Sequence, residues 1–244
     1  MSLFFPRYCR GCYNSLVKGE DLVCTNCILE MPKSYYHLEA DNLFYQKFRG
    51  RLQVKYVMTL FKFVKESRVQ QLLHALKYKH QPEIGELLGR VYGQDLLEAN
   101  FKNSFDLIVP VPLHRSRRRI RGYNQSEEFG KGLSQMLEVP CDDSCLTRIL
   151  KSETQTQKSK LSRWENVSSI FHVVKPEPIA EKRILLVDDV VTTGATLEAC
   201  GQALLRAGCK ELSIASSRQR NKHPPRTYPP EGHKKSPDIV GALK

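Results

Sequence analysis

One stretch constrains the fold of this chain more than any other: KRILLVDDVVTTGATLEAC, which begins at Lys182. Four apolar residues end at two adjacent acids, and a hydroxyl-rich turn with Gly194 follows before a helical pattern. A continuous apolar run of this length is typical of a strand buried on both faces. The stretch therefore predicts strand, turn and helix in that order, with Val187 as the last buried residue of the strand and the acids at its rim.

Strand and helix patterns alternate from residue 105 onward. FDLIVPVPLH and KELSIAS are short apolar runs, whereas NQSEEFGKGLSQML and ATLEACGQALLRAG space their apolar residues as amphipathic helices do. Such alternation predicts an α/β fold with a parallel sheet covered by helices on both faces. Because ligands bind beyond the carboxyl ends of such strands, the residues just past those ends are the candidates for function. Residues 33–100 favour irregular helices with a break at Pro82.

Four of the eight cysteines form a pattern near the N-terminus. In YCRGCYNSLVKGEDLVCTNC, two C-x2-C pairs are separated by eleven residues. Such pairs can place four thiolates tetrahedrally around one ion, which predicts a closed structural zinc site in a small module of residues 1–32. A disulfide pair and a redox C-x2-C are the alternatives, and two pairs in a cytosolic chain disfavour both. The predicted ligands are Cys9, Cys12, Cys24 and Cys27.

Length and charge limit the class of protein further. The 244 residues suffice for one substantial domain beside the small module. No apolar run approaches the roughly 18 residues of a membrane span, and MSLFFPRYCR is too short in its apolar part for a signal peptide, so we expect a cytoplasmic protein. The net charge of +12 favours a phosphorylated small molecule or a nucleic acid as partner, unless it only solvates the surface. The Pro-rich basic residues 218–244 are expected to form a disordered tail.

Side chains at two predicted strand ends suit a sugar phosphate. After the first strand, HRSRRRIRGYNQS brings five arginines and a Gly122 turn to a helix start near Asn124, which suits pyrophosphate if the segment is not a solvated basic loop. After the second strand, amides and hydroxyls of residues 192–196 would cradle a phosphate monoester. Asp188 and Asp189 would repel a phosphate but accept hydrogen bonds from a sugar diol. A ribose 5-phosphate meets both demands.

The stretch ILLVDDVVTTGAT resembles the phosphoribosyl pyrophosphate (PRPP) signature of type I phosphoribosyltransferases. Its first letters are also similar to the start of a response-regulator receiver, but fewer than sixty residues follow, too few for that fold. The cysteine pairs, LKYK, VPVPLHRSRRRIRGYNQS, TQTQKSKLSRWENVSSIF and this signature stand in the order of the ComF family, over roughly residues 8–216. The chain thus resembles that family of competence protein F and amidophosphoribosyltransferase-like proteins.

The resemblance implies roles for individual residues. Asp188 and Asp189 would bind the ribose 2- and 3-hydroxyls of PRPP, and the turn that follows would bind its 5-phosphate. Arg121, Gly122 and Tyr123 would hold the pyrophosphate, with Mg²⁺ bridging it and the ribose hydroxyls. A loop would close over the reacting centre. The turn residues are Thr192, Thr193, Gly194, Ala195 and Thr196, and the candidate catalytic residues of the loop are Gln157, Arg163 and Asn166.

Two functions of different kind follow from the resemblance. One is a PRPP-dependent transferase whose domain, residues 33–217, covers its acceptor with a helical hood. The other is a non-catalytic PRPP-binding or single-stranded-DNA-handling factor for DNA transformation, with DNA or a competence helicase as partner. The intact acids and the intact TTGAT favour a working PRPP site. Neither the acceptor nor the oligomeric state follows from the sequence.

Overall fold

The computed structural model describes residues 6–62, 67–148 and 170–219. Its strands are β1 (Val57–Phe61), β2 (Leu107–Pro110), β3 (Leu146–Arg148), β4 (Phe171–Val173), β5 (Arg183–Val191) and β6 (Glu211–Gln219). Its α-helices are α1 (Thr25–Leu29), α2 (Arg68–Tyr78), α3 (Glu83–Glu98), α4 (Arg115–Arg121), α5 (Gln125–Leu137) and α6 (Ala195–Arg206). Four strands form a parallel sheet in the order β1, β6, β5, β2, and β3 pairs antiparallel with β4.

Strand β5 lies between β6 and β2 in the sheet, and both of its faces are buried. Leu185 and Val187 belong to one hydrophobic cluster with the inner faces of α2, α3 and α5. Ile184 and Leu186 belong to a second cluster with α6 on the opposite face. Successive side chains of a strand point to opposite faces, so a continuous apolar run can supply two cores at once. The predicted α/β architecture, a parallel sheet with flanking helices, is confirmed.

The helix boundaries near the sheet edge follow from local chemistry. Asn124 caps α5, since its side-chain oxygen accepts a hydrogen bond from the Ser126 N–H at 3.3 Å. Helix α3 begins directly after Pro82, where a proline is tolerated because the first N–H groups of a helix have no partner within it. Both the helix start near Asn124 and the break at Pro82 agree with the sequence prediction.

Helices α3 and α5 touch backbone to backbone. A Cβ atom added to Gly89 would overlap the carbonyl oxygen of Phe129, and one added to Gly132 would overlap that of Glu86. Gly85 and Gly93 continue this glycine face of α3, at a spacing of four residues. The contact fixes the first turn of α5, which lies beside the end of β5.

Two segments differ from the sequence prediction. Residues 57–61 form the edge strand β1 within a region predicted to be helical, because a short apolar run without flanking turn signals does not distinguish a strand from a buried helical turn. The arginine-rich residues 115–121 form the short helix α4, which ends at Gly122 with φ 81°. Strand β6 continues through Gln219, two residues into the range predicted as a tail.

We expect Gly132→Ala to lower the free energy of unfolding by about 1–3 kcal/mol, because the methyl group must push α3 and α5 apart. Thermal or urea unfolding of the whole chain measures the effect. Ser134→Ala, two residues further along α5, is the control and should be neutral or slightly stabilising, because alanine favours helix. Equal stability of the Gly132 variant and the wild type would show that the helices do not pack this closely.

Candidate functional site

The carboxyl end of β5 extends past its neighbour β2. Pro110, the last residue of β2, pairs with Val187, whereas β5 continues beside β6 with Asp188 opposite Ser216 and Val191 opposite Gln219. The two acids therefore lie within the strand, at an edge that β2 has left open. The sequence prediction that Val187 is the last buried residue of the strand is wrong, because Val191 is only 2% exposed.

Asp188 is held by the first turn of α5. The Ser126 hydroxyl donates a hydrogen bond to Oδ1 of Asp188 at 2.9 Å, and the Asp189 N–H donates to the same oxygen at 2.8 Å. Burial and the adjacent Asp189 carboxylate raise the pKa of Asp188 to about 7, although these two hydrogen bonds and Lys77 act in the opposite direction. The side chain is thus an oriented acceptor that titrates close to neutral pH.

Asp189 is held by α2 and β6. Its Oδ2 atom forms an ion pair with Nζ of Lys77, and the Ser217 hydroxyl donates to its backbone carbonyl. The side chains of Lys77 and Asp189 are 21% and 15% exposed. The Tyr123 hydroxyl donates to the carbonyl of Leu76, which ties the last turn of α2 to the loop before α5.

The turn after β5 leads into α6 with a left-handed residue. Gly194 has φ 83°, and a side chain there would collide with the ring of Phe48, whose Cζ would lie 2.9 Å from an added Cβ. Thr192, Thr193 and Thr196 are exposed around it. Exposed hydroxyls and free N–H groups at the start of a helix suit an anionic group.

The residues predicted to bind pyrophosphate lie where α4 ends and the loop to the start of α5 follows. The Arg121 guanidinium donates to Oε1 of Gln125 at 2.6 Å and lies 5.8 Å from the ring centre of Tyr78. The N–H of Gly122 and the hydroxyl of Tyr123 are already used, by the carbonyls of Arg118 and Leu76. Of these three residues, Arg121 therefore places a positive charge near the end of α2. Tyr123 holds that end of α2 through its hydroxyl group.

The predicted loop residues Gln157, Arg163 and Asn166 lie outside the described residues. The β3–β4 pair flanks that part of the chain, with Arg148 opposite Phe171 at its near end.

The four N-terminal cysteines form one compact cluster. Their sulfur atoms all lie within 4.8 Å of one another, and the pairs Cys9–Cys27 and Cys12–Cys24 are each 3.7 Å apart. Sulfurs bound tetrahedrally to zinc at about 2.3 Å are about 3.8 Å apart, so the arrangement fits a metal of this kind. The N–H groups of Gly11 and Cys24 each donate to Sγ of Cys9 at 3.3 Å, which favours a thiolate.

Two residues that contact the acid pair were missed by the sequence prediction. In the sequence, a lysine in the last turn of a helix is explained by the ordinary preference for cations at a helix C-terminus, and a serine just after Asn124 is an ordinary part of a helix start. Each meets the acids through tertiary contact. The available signal for Lys77 was the segment LKYK, which stands in the family order without an assigned role.

Comparisons with known proteins agree with this geometry. A family model described as "Phosphoribosyl transferase domain" matches residues 124–240. Competence protein F of Haemophilus influenzae is 25% identical over 88% of this chain and 97% of that protein. Competence protein ComFC of Bacillus subtilis is 25% identical over 86% of this chain and 82% of that protein.

A further relative is matched over a smaller part. The DNA utilization protein YhgH of Escherichia coli K12 is 34% identical over 59% of this chain, and the match spans 63% of YhgH. Among the described helices, none has the length and apolar character needed to cross a membrane. The matched phosphoribosyl transferase domain, the relatives named as competence proteins and the four-cysteine cluster ahead of the domain together support a ComF-family protein.

Proposed function

We propose that this chain binds PRPP at the carboxyl end of β5 and acts as a phosphoribosyltransferase-like protein in DNA uptake. The observation that carries the proposal is the acid pair, Asp188 and Asp189, oriented by Ser126 and Lys77 directly before the Gly194 turn. Two fixed carboxylates can accept hydrogen bonds from both hydroxyls of a ribose. The adjacent helix start accepts its 5-phosphate.

The remaining contacts of the ligand follow from the same placement. Thr192, Thr193, Gly194, Ala195 and Thr196 would surround the 5-phosphate, and Arg121 with the Gly122 turn and Tyr123 would border the pyrophosphate. Mg²⁺ is an oxygen-seeking ion that would arrive bound to PRPP, supplying charge neutralisation between the pyrophosphate and the ribose hydroxyls. The chain's own acids would orient the diol and fix the sugar relative to the phosphate.

In a transfer reaction, the bond between C1 of the ribose and the pyrophosphate breaks, and the acceptor bonds to C1. The developing positive charge on the sugar requires orientation and exclusion of water more than a protein base. Gln157, Arg163 and Asn166 are the candidates for covering the reacting centre. The acceptor would be selected by the proposed hood, whose described elements include β1, α2 and α3.

The second candidate function is non-catalytic handling of DNA. The observation that favours it is the arginine-rich helix α4, on which Arg115, Arg117 and Arg119 are all exposed to solvent. Such a basic helix suits a phosphate backbone, with single-stranded DNA or a helicase complex as the partner. The names of the relatives, competence protein and DNA utilization protein, fit either function.

The cysteine cluster is proposed to hold one structural Zn²⁺. Four sulfur ligands leave no position for water, so the ion would stabilise the module without taking part in chemistry. The proposal includes a cytoplasmic location, because thiols remain reduced there.

Calorimetry with PRPP and Mg²⁺ tests the main proposal. We expect the wild type to bind and the double variant Asp188→Asn/Asp189→Asn to lose about a hundredfold or more in affinity, since two charge-assisted hydrogen bonds weaken. Asp41→Asn, an exposed acid paired with Arg49, is the control and should bind like the wild type. Absence of binding by the wild type would refute the proposal. Binding without pyrophosphate release across candidate bases, amines and DNA would favour the non-catalytic function.

Stability should depend on pH through Asp188. Its folded-state pKa of about 7 lies above the ordinary value of 3.8, so its contribution to stability is present below pH 4 and is lost as the pH rises through 7. Asp188→Asn should therefore raise the melting temperature at pH 8, by about 2–4 °C for each kcal/mol recovered, and change it little at pH 4. Differential scanning calorimetry at both pH values, with Asp41→Asn as control, measures this. Equal shifts at both would contradict it.

Removal of the proposed zinc should destabilise the chain. Elemental analysis is expected to find one zinc per chain, and a strong chelator should lower the melting temperature, because metal-binding free energy is folding free energy. Cys12→Ser should abolish binding, whereas Cys209→Ser, which changes a buried cysteine far from the cluster in sequence, should retain the metal. A metal-free chain with unchanged melting would exclude the site.

A further inference from the structure

Lys77 brings a positive charge to the acid pair from a part of the chain that the family model does not match. The match begins at residue 124, whereas Lys77 lies in the last turn of α2. Its ammonium group forms an ion pair with Oδ2 of Asp189, and both side chains are mostly buried. A pair of this kind is restrained and weakly screened, unlike a surface ion pair.

The fold holds Lys77 in place through the burial of its neighbour Leu76 and two hydrogen bonds at the end of α2. Leu76, its neighbour, is 1% exposed and accepts a hydrogen bond at its carbonyl from the Tyr123 hydroxyl. The Lys79 N–H closes the helix end on the carbonyl of Ala75 at 2.9 Å. Lys77 is thus directed at the site by the anchored end of α2.

The groups that face the acid pair come from several elements. They are the Lys77 ammonium from α2, the Ser126 hydroxyl from α5, the Ser217 hydroxyl from β6 and the Cys200 thiol from α6, which also lies in the field of Arg148. Burial and the Asp188 carboxylate raise the pKa of Cys200 well above its usual range, so this thiol stays neutral. Of these described groups facing the acids, Lys77 is the one that contacts a carboxylate with a positive charge.

This arrangement addresses a conflict in the proposed site. Two adjacent carboxylates are suited to a diol but repel a ligand that carries a phosphate and a pyrophosphate. The Asp189 carboxylate also makes ionisation of Asp188 less favourable. A cation beside the pair reduces both effects.

We propose that Lys77 is a positioning residue of the ribose site, which offsets the charge of the acid pair so that both carboxylates remain acceptors for the sugar diol. The inference rests on the proposed function, since it assigns a role within the same site. Lys77 already lowers the pKa of Asp188 in opposition to burial and Asp189. Without the amine, the pKa of Asp188 would rise further, so the protonated form would predominate at neutral pH and the side chain would lose part of its capacity as an acceptor.

The test is the affinity for PRPP with Mg²⁺ between pH 6 and pH 9, measured for the wild type, Lys77→Met and Lys77→Arg. We expect Lys77→Met to bind about fivefold more weakly at pH 7 and to recover at pH 9, with the binding midpoint displaced upward by roughly one pH unit. Lys77→Arg keeps the charge and should stay close to the wild-type curve. The control Lys79→Met changes an exposed lysine two residues away and should leave the curve unchanged.

Comparison of two further ligands tests whether the effect of Lys77 depends on the sugar diol. Ribose 5-phosphate should lose affinity in Lys77→Met, and 2-deoxyribose 5-phosphate, which offers one hydroxyl fewer to the acids, should lose less. Should Lys77→Met not fold, Lys77→Gln is measured in the same way.

The outcomes separate the two claims. PRPP binding by the wild type with an unchanged pH curve in Lys77→Met overturns the role of Lys77 and leaves the proposed function intact. A loss that is equal at all pH values and is not rescued by arginine also overturns it, because it indicates a merely structural residue. Absence of PRPP binding by the wild type overturns both.

Discussion

The site depends on one constraint, the extension of β5 beyond β2 while it remains paired with β6. The strand is fixed because its apolar residues enter two hydrophobic clusters, one on each face of the sheet. A one-residue slip would exchange those faces, so the register is strongly specified. Because the register of β5 is specified, the positions of Asp188 and Asp189 relative to the Gly194 turn are also fixed. The proposed diol clamp and phosphate cradle can therefore keep their spacing without a ligand.

The spacing and type of neighbouring residues predicted those elements that depend mainly on nearby sequence. The strand, turn and helix around ILLVDDVVTTGAT, the break at Pro82, the cap at Asn124 and the four-cysteine cluster were all readable from spacing and residue type. The contacts of the acids were not, because they join distant segments: Ser126 is 62 residues from Asp188 in sequence. Edge strand β1 was missed for a related reason, since its five residues gain their strand character from pairing with β6.

The acid pair also lowers the folding stability of the chain, because a buried carboxylate is costly to ionise. Burial raises the pKa of Asp188 to about 7, so the folded chain disfavours the ionised form on which the proposed contact with a ribose hydroxyl depends. The opposing contributions come from the Ser126 hydroxyl, the Asp189 N–H and Lys77. Each is supplied by a different element, which indicates that α2, α5 and β5 must be assembled together before the site exists.

This assembly links the N-terminal cysteine cluster structurally to the acid pair through α2. Arg68 at the start of α2 forms an ion pair with Glu30 just after α1, and Cys9 and Cys27 share a hydrophobic cluster with the buried face of α2. The same helix delivers Lys77 to Asp189 at its other end. Since eleven residues of helix transmit position as a nearly rigid rod, the packing of the cysteine module constrains where the ammonium group lies. The module thus supports the helix that carries Lys77 to the proposed ribose site.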